Sequence, residues 1–100
     1  MGTRGAIGLL GLVLLLPGAG MAAADQSYQP GMDLPGGTDY RNFELPRPRP
    51  RFCQDACLAD PDCKAWTFIR MGVQGPLASC WLKKQVPQAR PDPCCVSGVR

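Results

Sequence analysis

The chain begins with an apolar run that it never repeats. Ala6 to Leu16 carries no charge, Arg4 precedes it, and the small residues Gly18 to Ala24 follow, ending Ala22-Ala23-Ala24. A short positive start, an apolar centre and a small-residue end predict a secretory signal peptide over 1–24, too short for a membrane span. Residues 25–30 are polar and read as a flexible leader. From Gly31 to Arg100 apolar positions come in short groups separated by Pro and Gly, which predicts one small domain over 31–100.

Within that domain Met32 and Leu34 alternate before Pro35-Gly36-Gly37, which predicts a short edge strand over 31–37. Thr38 to Leu45 alternates weakly through Arg41, Phe43 and Leu45. Pro46 to Pro50 is proline at every second position and predicts an extended connector, because proline lacks an N–H and restricts its predecessor. Arg51 to Asp60 is the one helix candidate: Pro50 suits a first turn, and Phe52, Cys53, Ala56 and Cys57 form a stripe. Cys63 to Arg70 is rich in aromatic and β-branched residues and predicts the strongest strand. Met71 to Ser79 reads as a hairpin loop and Cys80 to Lys83 as the returning strand. Gln85 to Pro93 reads as a proline-rich connection, and Cys94 to Val99 as a last strand.

Charge and composition narrow the function. The formal net charge of +3 falls to +2 without Arg4, too weak for a dedicated nucleic-acid binder. No second long apolar stretch follows, so no membrane span is expected after signal cleavage. The absence of histidine removes the commonest general base and metal ligand, and no serine has a base to activate it. Asp55, Asp60 and Asp62 surround a helix end, where capping or solvated roles are expected. The cysteines lack the paired C-x2-C of a zinc site. No catalytic residue, metal or cofactor is expected.

Six cysteines in a mature chain of about 76 residues mark a disulfide scaffold of the exported kind. Cys53 and Cys57 lie one helical turn apart, with Cβ atoms ~5–6 Å apart where a disulfide needs ~3.5–4.5 Å, so they do not bond to each other. Cys63, a tight turn after Cys57, is its natural partner, and Cys53 then reaches across the hairpin to Cys80. Chain entropy gives ~3.5 kcal/mol for the 53–80 closure and ~2.2 kcal/mol for 57–63. Cys94 and Cys95 are left to form a vicinal disulfide, to stay as thiols or to join another chain.

Together GMDLPGGTDY, CQDACLADPDCKAWTF, CWLK and CCVSGV resemble PAN/Apple domains, in particular the bacterial kind. The resemblance covers Gly31 to Arg100. It implies an α+β fold, a small disulfide-stapled twisted antiparallel sheet cradling one short helix, with Cys53–Cys80 and Cys57–Cys63 bonded. It implies a noncatalytic module that recognises a carbohydrate or a protein partner in the periplasm or outside the cell. The chain departs from the usual Apple pattern in having no cysteine before Cys53 to join the two ends.

Strand parity suggests a site. If Cys63 faces the helix, Ala65, Thr67 and Ile69 do too, and Lys64, Trp66, Phe68 and Arg70 fall on the opposite face. If Cys80 also faces the helix, Trp81 and Lys83 join them. Flat aromatic surface ringed by Lys64, Arg70 and Lys83 suits sugar rings, acidic glycans or a protein. The competing expectation is a second small core, with these rings covered by the N-terminal segment through Tyr40 and Phe43 or by the long loop. Arg47, Arg49 and Arg51 form a row of cations that reads as a solvated connector. The alternative functions are thiol–disulfide exchange through Cys94 and Cys95, or a purely structural accessory domain.

Overall fold

The computed structural model describes residues 25–100; the segment 1–24, read above as a signal peptide, lies outside them. Five strands and one helix follow in the order β1 Gln29–Asp33, β2 Asp39–Leu45, α1 Pro50–Leu58, β3 Ala65–Ile69, β4 Ala78–Lys83 and β5 Arg90–Val99. The strands form one antiparallel sheet in the order β1-β5-β3-β4-β2. The helix packs on one face of it, against β3 and β4.

The helix starts where the sequence expects, with Pro50 in its first turn and extended Arg49 before it. Its C-terminal end is closed from a distance. The Arg100 guanidinium donates to the carbonyl oxygens of Cys57 and Asp60, at 3.0 and 2.6 Å, supplying donors that the last turn lacks. Asp60 also receives the Tyr40 hydroxyl at 2.8 Å, Arg41 at 3.2 Å and the Asp62 amide at 3.0 Å. The Asp62 amide, then the Tyr40 hydroxyl, lower the Asp60 pKa below the usual carboxylate value. Burial, then the bond to Asp60, push the Tyr40 phenol up to about 12.

Beneath the helix lies the main core, built from Trp66 and Phe68 of β3, Cys80 and Leu82 of β4, and Leu45 of β2. Cys53 bonds to Cys80 and Cys57 to Cys63, so both helical cysteines are tied to the chain below them. Ladder register makes the facing unambiguous, since Phe68 stands opposite Cys80 and Trp66 opposite Leu82. The expected parity of β3 is therefore corrected. Trp66 and Phe68 point toward the helix and are 1% and 4% exposed, while Thr67 and Ile69 point away. The reason is local: Cys63 lies in the turn before β3, where side chains do not yet alternate, so its direction does not carry into the strand.

Residues 25–30, expected as a loose leader, are docked. The Val99 amide donates to Gln26 O at 2.7 Å, and Gln54 Nε2 donates to Ser27 O at 2.9 Å. Tyr28 lies 5.9 Å from the Trp66 ring, and Arg51 stacks 3.8 Å over Tyr28. Gly98 makes this approach possible, because a Cβ there would sit 2.6 Å from the Trp66 indole. β1 starts earlier and stops earlier than the expected 31–37 strand.

β5 runs into the proline-rich stretch read as a connection. Pro91 and Arg90 pair with β1, at Met32 and Asp33, while pairing with β3 begins only at Cys95. The prolines occupy a stretch with a single neighbour, where a missing N–H is tolerated.

Candidate functional site

The face of the sheet away from the helix is where the remaining chemistry collects. Cross-strand pairing lines up Thr67 of β3, Trp81 of β4 and Asn42 of β2 in one row, and Ala65, Lys83 and Asp39 in the next. On the β5 side Ser97 stands opposite Thr67 and Cys95 opposite Ile69. The Thr67 and Ser97 hydroxyls bond to each other at 2.9 Å and Ser97 donates to Met32 O at 2.8 Å, so these buried polar groups are satisfied.

Part of this face is roofed by the loop between β1 and β2. Leu34, 1% exposed, anchors the loop onto the sheet. Gly36, Gly37 and Thr38 then adopt φ of 77°, 80° and 58°, a left-handed run that swings the chain back into β2. Only glycine fits at 37, since a Cβ would lie 2.7 Å from Pro87 and 2.8 Å from Gln85 O. Thr38, a β-branched residue in this region, is held there by its carbonyl, which accepts from the Lys84 amide at 3.1 Å, and by its hydroxyl bond to Gln85 at 3.0 Å.

Lys83 is the strut of the roof. Its side chain is 4% exposed, and its ammonium donates to Gly36 O at 3.0 Å and to the Asp39 carboxylate. A buried ammonium needs such partners.

Between roof and sheet lies a groove of about 180 Å3. Trp81, Thr67 and Ile69 form its floor, Leu34 and Pro35 one wall, and Asp33 and Gln74 reach its edge. Gln74, from the 71–77 loop, accepts from the Trp81 indole N–H at 3.0 Å and fixes the ring. The Asp33 carboxylate has no hydrogen bond among the described residues. Beyond Pro35 lies a second hollow lined by Gln88 and Arg90.

Of the six residues expected on one face, the structure brings together only Trp81 and Lys83. Trp66 and Phe68 belong to the helix-side core, and Lys64 and Arg70 are exposed at the two ends of β3. Lys83 is not a free cation. A second small core does exist, but Leu34 makes it rather than Tyr40 and Phe43, which pack on the helix side. The sequence marks Leu34 only as an apolar position of an edge strand and does not single out Asp33 or Gln74. Pro35-Gly36-Gly37 marks the turn that carries Leu34, yet nothing local says which face the turn covers.

Cys94 and Cys95 are bonded to each other at the start of the β3–β5 pairing. Cys95 is 3% exposed, and the Asp92 carboxylate lies within 4.8 Å of both sulfurs. A neighbouring negative charge opposes thiolate formation. Among the described residues no helix is long and apolar enough to cross a membrane.

No curated protein and no solved structure matches the chain. Residues 32–83, from β1 through both disulfides of the helix to Lys83 at the roof of the groove, match the family model of the PAN domain. The chain belongs to the PAN domain family, whose members are in general noncatalytic modules that bind proteins or carbohydrates.

Proposed function

We propose that this protein is an exported recognition module that seats a carbohydrate in the groove above Trp81. The observation that carries this reading is a half-exposed indole on the floor of a concave site, fixed in orientation by Gln74 and edged by the Asp33 carboxylate, which has no hydrogen-bond partner among the described residues. A preformed apolar surface with few convergent polar groups is the usual character of a small-ligand site. The volume of about 180 Å3 lies below the ~300–1,000 Å3 of sites for drug-sized molecules and suits a single sugar ring.

Thiol–disulfide exchange fits less well, because the Cys94–Cys95 pair is half covered and stands beside Asp92. The disulfide framework and the expected signal peptide both favour action outside the cytoplasm.

The test is Trp81→Ala in the oxidised protein, screened on immobilised oligosaccharides beside the unaltered protein. The expected outcome is a folded variant that loses the glycan signal. A folded variant that binds unchanged would remove the groove from the function. An unaltered protein that retains no glycan but captures a protein through the same residue would replace carbohydrate with protein as the ligand class.

A further inference from the structure

Resting on that reading, we infer that the groove selects neutral, hydroxyl-rich sugars and rejects acidic ones. Strand parity alone leaves acidic glycans open beside neutral sugar rings and proteins, because it places Lys64, Arg70 and Lys83 around aromatic rings. The fold dismantles that set. Lys64 and Arg70 do not line the groove, and among the described residues Lys83 is the one cation that does.

Lys83 has no free charge to offer. Its ammonium is spent on Gly36 O and on Asp39, the carboxylate standing opposite it across β2 and β4. A ligand carboxylate that recruited Lys83 would have to displace Asp39 and release the roof loop. The charge left over at the groove is Asp33, which has no ion pair within 4.0 Å among the described residues. Arg90 stands opposite Asp33 in the ladder but lines the neighbouring hollow beyond Pro35. An anionic sugar entering the groove therefore meets the Asp33 charge with no uncommitted cation among the described residues that line the groove, Arg90 standing outside that lining, and like charge at close range is an effective means of rejection.

A neutral sugar meets complementary groups. The C–H face of a pyranose covers the Trp81 ring. The Asp33 carboxylate accepts from one or two hydroxyls, and the Gln74 Nε2–H2, left free because Oε1 takes the indole N–H, donates to another. A charge-assisted bond to a hydroxyl is roughly twice as strong as a neutral one, which makes Asp33 the specificity-determining residue. Asp33→Asn keeps the shape and removes the charge.

The two tryptophans make the experiment readable. Trp66 is 1% exposed beneath the helix and serves as an internal reference, whereas Trp81 reports the groove. Neutral methyl glycosides of glucose, galactose, mannose and N-acetylglucosamine, together with glucuronic acid and sialyllactose, are titrated into 15N-labelled protein while both indole N–H resonances are followed. At least one neutral glycoside is expected to move the Trp81 resonance and leave Trp66 in place, and the acidic sugars to bind at least ten-fold more weakly. Asp33→Asn is expected to weaken the neutral ligand about ten-fold and to narrow its margin over the acids.

Acidic sugars that move Trp81 as strongly as neutral ones, through Arg90 or otherwise, would overturn the selectivity and leave the groove as a carbohydrate site. An Asp33→Asn variant that keeps the full margin would also overturn it. Silence of Trp81 toward every sugar would overturn both this inference and the carbohydrate reading.

Discussion

On the helix side of the sheet, Trp66, Phe68 and Leu82 lie beneath a helix bonded covalently at Cys53 and Cys57. On the other side, Trp81 and Ile69 lie beneath a loop held by the Leu34 side chain, the Lys83 ammonium and the hydrogen bonds of Gly37 and Thr38 to Lys84 and Gln85. The same five strands supply both surfaces, and alternation decides which residue serves which. One face is closed by bonds that do not exchange with solvent; the other by contacts that a ligand can compete with or extend. In so small a domain, fixing one side covalently leaves the other free to be concave.

The sharpest way to break this contrast is to remove the covalent side. Cys53→Ser with Cys80→Ser should cost about 3.5 kcal/mol of chain-entropy stabilisation and lower the melting temperature by roughly 15–25 °C, or prevent folding outright. Circular dichroism melts would show it, and a shift of a few degrees would mean that the helix face is not held by its disulfides.

Next comes the pair of tryptophans. Trp66→Ala should destabilise by about 3–5 kcal/mol, as expected for a large buried ring, while Trp81→Ala should cost about 1 kcal/mol or less. Equal losses in denaturant titrations would mean that the groove is core after all. Gly98→Ala, whose new methyl would enter the Trp66 indole, should lose about 1–3 kcal/mol through overpacking, with the groove unaltered.

Lys83→Met addresses the roof. Asp39 retains some access to water, so the expected cost is only about 1–2 kcal/mol. The clearer signal is local: the Lys84 and Gln85 amides, which donate to Thr38 O and Gly37 O, should exchange with solvent faster by ten-fold or more. Protection that is unchanged would mean that Leu34 and the bonds of Gly37 and Thr38 hold the roof without Lys83.

The smallest effects concern pH, and both belong to the helix side. Asp60 titrates below its ordinary value of 3.8, so its contribution is present above about pH 4 and is lost as the pH falls through the depressed folded value. Tyr40, raised to about 12, contributes below pH 10 and loses that contribution as the pH rises from 10 to 12, its phenolate absorbance reaching half its full height only near pH 12. Tyr40→Phe should flatten the alkaline limb and leave ligand binding at Trp81 intact.

The parts legible in sequence are those governed by neighbours in the chain. Pro50 opens the helix and the spacing of Cys53, Cys57 and Cys63 fixes its disulfides, because one turn of helix and one tight turn are local geometry. The facing of β3 was not legible, since it depends on Phe68 standing opposite Cys80, a contact between two strands separated by a loop. Pro91 and Pro93 argued against a strand, and only the absence of β3 beside them makes that stretch of β5 possible. The groove was hidden for the same reason: Asp33 ends β1, Leu34 opens the loop after it and Gln74 belongs to the 71–77 loop, and they meet only across the finished sheet. Lys83 looked like a surface cation because burial of a lysine is visible only with its partners in place.

The strand order has a kinetic consequence. β5 is the last element of the chain, yet it lies between β1, the first, and β3. Gln29 meets Ser97 across nearly the whole described length, so the interior of the sheet is completed by a contact of very high sequence separation. Such pairings are slow because loop closure must precede any reward. A chain emerging N-terminus first therefore holds β1, α1, β3 and β4 with one side of β3 unpaired until residues 90–99 arrive. During that interval the helix disulfides can already form, and they would keep the half-built sheet from dispersing while it waits for its final strand.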